Sequence, residues 1–125
     1  MAAGKQTEKM TPVGRYISKF NTLTGQTLPL GVIYQSDGLL THVQKRHPGQ
    51  IGNLAHVSNV ISAPDYIGKN PKEPNSIELV KILGGNVMVC VKLDISRGYY
   101  YVASVFEIST AKLNNRLNSG RLKKC

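Results

Sequence analysis

The sequence predicts an α+β fold: N-terminal helices packed on a three- to four-stranded antiparallel sheet, closed by a short C-terminal helix. Three observations predict it. Up to Pro64, apolar residues recur mostly at helical spacing and prolines break the pattern. After Ser76 the period changes to two. Two glycine-bearing connections, Gly84-Gly85-Asn86 and Ser96-Arg97-Gly98, then separate three alternating runs. A chain of 125 residues supports one core. Residues 29–125 are expected as a single domain and residues 1–28 as a flexible or ambiguous arm.

The first dozen residues are polar and small and are expected to be loose. Residues 13–23 are ambiguous: Val13, Tyr16, Ile17 and Phe20 have helical spacing, yet the β-branched and aromatic content also permits a strand. Residues 28–36 read as a short strand made irregular by Pro29 and Gly31. Ser36 or Asp37 caps a helix that runs through Arg46 and stops at Pro48-Gly49. Residues 51–62 carry Ile51, Leu54, Ala55, Ser58 and Ile61 on one stripe and read as a second amphipathic helix. Residues 64–76, with three prolines, read as a long structured loop.

Strands follow at 77–83, 87–95 and 99–108. Alternation puts Val87, Val89, Val91 and Leu93 on one face of the second, and Met88, Cys90, Lys92 and Asp94 on the other. In the third, strict alternation groups Tyr100, Val102, Ser104, Phe106 and Ile108. Thr110 caps a last helix that Gly120 closes, and a basic tail follows. One sheet face is expected to stay open.

Sixteen Lys and Arg against seven Asp and Glu give a formal net charge of +9. Such a field favours anionic partners: RNA, DNA, an acidic protein or an anionic membrane surface. No apolar run reaches the length of a membrane span, and the N-terminus lacks a secretory signal. Cys90 and Cys125 are far apart, and no Cys/His pairing has zinc spacing. A reducing cytoplasm is the expected site of action, with no metal and no other cofactor.

The polar residues worth weighing lie around the two histidines of residues 38–49. His42, Lys45 and Arg46 share one helix face, and His47 joins them only if Pro48 turns it inward. Imidazole can take or give a proton near neutrality, and neighbouring cations can hold a phosphate. That inventory suffices to cleave RNA without a metal. A solvated helix end, with cations near the last carbonyls, accounts for the same residues. His56 reads as a packed boundary residue. Lys81 and Lys92 read as strand decoration or substrate contacts, and Ser104 as a core hydroxyl or a phosphate contact. The Tyr99-Tyr100-Tyr101 run can stack bases or fill a core. Glu78, Lys81 and Asp65 can equally form a structural ion pair.

The segments GLLTHVQKRHP, ISAPDYIGKNPKEPNSIELVK, YYYVASVFEIS and RLNSGRLKK together resemble the phage-borne Barnase–EndoU–colicin–RelE-like nuclease domains. The resemblance runs from about Leu30 to Lys124, and the 64–81 block is its most specific part. It implies a small metal-independent ribonuclease whose active site lies on polar residues of the helix and the sheet face. By position it implies catalytic His42, Lys45, Arg46, His47 and Ser104, and Lys81 and Glu78 match the family's strand motif; these two, with Lys92, Tyr101 and Arg121, are the expected substrate-binding residues. Members of the wider superfamily that it resembles are toxins of prophages, toxin–antitoxin pairs and contact-delivered systems, and several cut tRNA or ribosome-bound mRNA. The expected function is a toxin-like endoribonuclease that leaves 2′,3′-cyclic phosphate and 5′-hydroxyl ends, with RNA, tRNA among it, as partner and an acidic immunity protein or antitoxin as a second. The alternative is a basic module that binds nucleic acid without cutting it.

Overall fold

The structure, a computed structural model, describes residues 9–125. The strands are Met10–Tyr16 (β1), Gly31–Ser36 (β2), Tyr66–Gly68 (β3), Ser76–Ile82 (β4), Asn86–Asp94 (β5), Tyr99–Ile108 (β6) and Leu122–Lys124 (β7). The helices are Ser18–Thr24 (α1), Gly38–Arg46 (α2), Val57–Ser62 (α3) and Thr110–Ser119 (α4). All seven strands form one sheet in the order β1-β2-β6-β5-β4-β3-β7. Neighbours are antiparallel except β2 and β6, which run parallel.

The β4-β5-β6 meander lies within one residue of the expected strands. Gly84 and Gly98 take positive φ in its two turns, as the tight connections require. Asp94 fastens the second turn by accepting from the Arg97 amide and the Ser96 hydroxyl.

The sheet is larger than the expected three or four strands. The ambiguous 13–23 segment is two elements: strand to Tyr16, then helix from Ser18, with Ile17 extended between them. Residues 10–28, expected as a flexible or ambiguous arm, thus hold β1 and α1, and Tyr16 and Phe20 are buried in the core. Of the first dozen residues, expected to be loose, 1–8 lie outside the described residues and 10–12 belong to β1. β3 and β7 have three residues each, too few for alternation to register. They exist because β4 and each other supply partners: Tyr66 faces Val80 and Lys124.

The expected second helix is also divided. Pro48–His56 forms 3-10 turns and only Val57–Ser62 is α-helical. Gly49 and Gly52 within nine residues weaken an α-helix there. At α4 the N-cap is Ser109 rather than Thr110, its Oγ accepting from the Lys112 amide at 3.1 Å. Asp37 stands at the α2 N-cap position but makes no side-chain capping bond.

Helices cover both faces, so neither is fully open. On one face Ile77, Leu79, Val87, Val89 and Val91 pack with Leu39 and Val43 of α2 and with Val57, Val60 and Ile61. On the other, Leu113 and Leu117 of α4 pack with Val80, Met88, Ile108 and Leu122. No helix among the described residues is long and apolar enough to cross a membrane.

Gly68 faces Glu78 on one side and Leu122 on the other. A Cβ there would collide with the Arg121 carbonyl. Gly68→Ala is therefore expected to unseat β7 at a cost of about 1–3 kcal/mol or more, read as a lowered midpoint in denaturant melts.

Candidate active site

α4 covers only part of its sheet face. The remainder is the floor of a groove of about 490 Å³. A β-bulge decides which residues form that floor. Val91 pairs with Val102 but Cys90 pairs with Ser104, so Ala103 is the extra residue in β6. The bulge reverses the alternation. Tyr100, Val102 and Val105 enter the first core, while Phe106 and Ile108 pack on the groove side. The expected grouping of Tyr100 and Val102 with Ser104, Phe106 and Ile108 fails for this reason, and the correction carries Ser104 and Phe106 to the groove.

One wall is α2. β2 pairs with β6 only at Ile33–Tyr100 and Tyr34–Tyr101, and α2 packs beside β6 beyond that point. Leu39 and Val43 turn into the core, which leaves His42 and Arg46, four residues apart, lining the groove. His47 keeps its amide on the Val43 carbonyl at 2.8 Å but has φ −141° and ψ 63°. Pro48 disfavours helical backbone at the residue before it. The ring consequently leaves the helical path and stacks on Phe106, with centroids 4.3 Å apart and planes at 20°.

The charged form of the ring is disfavoured in this position. Burial lowers its pKa below the usual imidazole value, and the charges of His42 and Arg46 lower it further. The sign follows directly: unfolded His47 binds a proton at a higher pH than folded His47, so stability falls as pH drops below about 6.5. An NMR titration is expected to place the His47 midpoint below 6.5 and to move it upward in Phe106→Ala.

The opposite wall is built on Glu78. This carboxylate is 3% exposed and lies in the middle of β4. Arg121 grips it with two bonds, Nε to Oε1 at 2.9 Å and Nη2 to Oε2 at 2.8 Å. Arg116 Nη1 stands 3.8 Å from Oε2 and 3.2 Å from Met88 Sδ. The hydrogen bond from Arg121 to Glu78 raises the guanidinium pKa, so its charge is permanent. Two guanidiniums on one carboxylate leave an excess positive charge facing the groove. The alternative grouping of Glu78 with Lys81 and Asp65 is not formed: Lys81 donates to the Ala63 carbonyl, and Asp65 accepts from the Ile82 amide.

At a further end, Lys92 pairs with Glu73 at 3.3 Å, beside Asn70 and Ser76. Ser104 Oγ is buried in the floor with no hydrogen-bond partner among the described residues. An unmet hydroxyl costs about 1–3 kcal/mol, a penalty a bound polar group would relieve. Cys90 is unsuited to nucleophilic work, because burial, then the Glu78 charge, push its thiol up to about 12.

The structure thus brings together His42, Arg46, His47, Ser104, Glu78, Lys92 and Arg121 of the expected residues. Lys45, Lys81 and Tyr101 do not line the groove. Tyr100 serves the core, stacked on Tyr16 and donating to the Pro29 carbonyl. Sequence reasoning missed Arg116, Phe106, Glu73 and Asn70. The register of β4 and β5 sets Glu78 opposite Cys90, and nothing local in the sequence points Arg116 at them.

As to a metal, the described residues contain no group of three or more His, Cys, Asp or Glu suited to hold one. Both groove carboxylates are engaged, Glu78 by Arg121 and Glu73 by Lys92. Searches of curated proteins and of solved structures returned no match. A family model does match, over residues 11–115, under the description phage-Barnase-EndoU-ColicinE5/D-RelE like nuclease 3. A match over most of the chain, which takes in the groove residues except Arg116 and Arg121, means that the protein belongs to that nuclease family.

Proposed function

We propose that the groove cleaves RNA by attack of the 2′-hydroxyl on the adjacent phosphorus, without a metal. The observation that carries this reading is the placement of a stacked His47 between guanidiniums on both walls. His47 takes the 2′-hydroxyl proton, as its lowered pKa suits a base. The 2′-oxygen bonds to phosphorus while Arg46 and Arg116 bear on the non-bridging oxygens, where charge accumulates. The bond from phosphorus to the 5′-oxygen then breaks, and His42 supplies the proton that this oxygen takes up. The products are a 2′,3′-cyclic phosphate and a 5′-hydroxyl end. Ser104 gains a partner when a phosphate or ribose oxygen reaches the floor.

The same reading makes the protein a toxin-like enzyme of a phage or mobile element, acting in the cytoplasm, with tRNA the first substrate to try. A net charge of +9 suits an acidic inhibitor protein as partner. Purified protein is expected to cut total tRNA in EDTA. Intact RNA, or cleavage only with added magnesium, would contradict the proposal. Salt-dependent binding that survives His42→Ala and His47→Ala, with no product, would instead favour a non-catalytic binding module.

A further inference from the structure

The tyrosines at 99–101 divide between the two faces of the sheet. Tyr100 is buried in the first core. By alternation Tyr99 and Tyr101 point the other way. Tyr101 stands opposite Lys92, which lines the groove, and Tyr99 stands opposite Asp94, two residues further on. Across the parallel contact with β2, Tyr34 is the partner of Tyr101. Tyr34, Tyr99 and Tyr101 therefore share the groove's face of the sheet, beyond its Lys92 end. Each is half-buried, and none belongs to either core cluster. α4 packs on Val80, Met88, Ile108 and Leu122, toward the opposite end of β5 and β6.

These rings are held in place. Tyr34 and Tyr99 meet edge to face, with centroids 5.8 Å apart and planes at 78°. Arg97 Nη1 donates to the Tyr99 hydroxyl at 3.2 Å. Beside the pair lies a hollow of about 170 Å³, lined by Pro29, Leu30, Val32 and Gly98 as well as the two rings. Rings already fixed lose little freedom when a planar group stacks on them. The row also continues the groove: along β6, Tyr101 is three residues from Ser104 and Tyr99 five, roughly 15 Å at the usual rise of a strand. An RNA strand seated in the groove reaches that distance within its next few nucleotides. Every nucleobase has a π-face, so such a row accepts any sequence.

We propose that Tyr34, Tyr99 and Tyr101 form a platform on which unpaired nucleobases flanking the cleaved step stack. This rests on the RNA-cleaving reading of the groove and adds a substrate class to it. The substrate is single-stranded RNA that extends past the cleaved step, because the bases of a duplex are already stacked on one another.

The test uses the full chain and a fluorescent, random-sequence, single-stranded RNA that is 2′-O-methylated throughout, so that it binds but lacks the attacking hydroxyl. The Tyr34→Leu/Tyr99→Leu/Tyr101→Leu variant keeps apolar bulk and loses the rings. It is expected to bind about tenfold or more weakly. The slope of log K against log salt is expected to stay at the wild-type value, because no phosphate contact is lost. The matching triple phenylalanine variant keeps the rings and is expected to keep wild-type affinity. A second probe has the same backbone but no bases. Wild type is expected to bind it about tenfold or more weakly than the complete RNA, and the leucine variant to distinguish the two probes far less. Tyr99→Leu alone, at the start of β6, is expected to show part of the same loss, which guards against misfolding of the triple variant. Wild-type affinity in the leucine variants, or equal affinity of wild type for the two probes, would overturn the platform. If wild type leaves the unmethylated RNA intact but the ring and base effects persist, the platform stands and the nuclease reading fails.

Discussion

His47→Ala is expected to slow RNA cleavage by roughly 10²–10⁴-fold, the range for loss of a general base, while the fold remains. Both halves of the expectation follow from the contacts. The ring touches the groove and stacks on Phe106, so its removal forfeits an aromatic contact of about 0.5–1.5 kcal/mol. Its backbone amide, which completes the last turn of α2 on the Val43 carbonyl, is unaffected. RNA binding is expected to survive, since Arg46, Arg116, Arg121 and Lys92 are untouched. Kinetics on a labelled RNA, with a thermal melt of the same preparation, separate the two effects. A variant that keeps wild-type kcat would remove His47 from the mechanism.

Arg121→Ala is expected to have the largest effect on stability. Glu78 is buried within a seven-stranded sheet, and Arg121 satisfies both of its oxygens. Removing one partner of a buried pair costs about 3–5 kcal/mol, because the remaining charge is uncompensated. Arg116 lies 3.8 Å from one oxygen, so it softens this cost without abolishing it. For a domain of this size the melting midpoint should fall by roughly 10–20 °C. The Glu78→Gln/Arg121→Gln pair should recover much of the loss, as the two effects are not additive. A midpoint that barely moves in Arg121→Ala would mean that Glu78 finds its compensation elsewhere.

The sequence made some of this legible and hid the rest for physical reasons. The β4-β5-β6 meander was readable because its strands have seven to ten residues, long enough for alternation to show. The α2 face with His42 and Arg46 was readable for the same reason at helical period. The bulge at Ala103 was not, because Ala103 carries no turn signal and the extra residue is defined by its partner strand. Without it Ser104 and Phe106 fall on the same face as Tyr100. The basic tail read as an appendage, yet Leu122–Lys124 is a strand and Arg121 before it completes the groove. Short edge strands owe their existence to contacts made far away in sequence. Arg116 was missed likewise: its nearest groove partners, Met88 and Glu78, are twenty-eight and thirty-eight residues away.

Lys45 shows the limit of one-dimensional geometry. It shares an arc with His42 and Arg46 in sequence, yet it lies outside the groove. Helical spacing gives the faces of an isolated helix. Which face meets the site depends on how Leu39 and Val43 dock, and that is set by the sheet.

The central claim is that this groove cuts RNA through His47 by attack of the 2′-hydroxyl. Its most direct test is to sequence RNA 5′-hydroxyl ends after induced expression of wild type beside His47→Ala. The account predicts new 5′-hydroxyl ends at defined positions with wild type and their absence with the variant. Identical end profiles in the two, or new ends that carry 5′-phosphate, would contradict it.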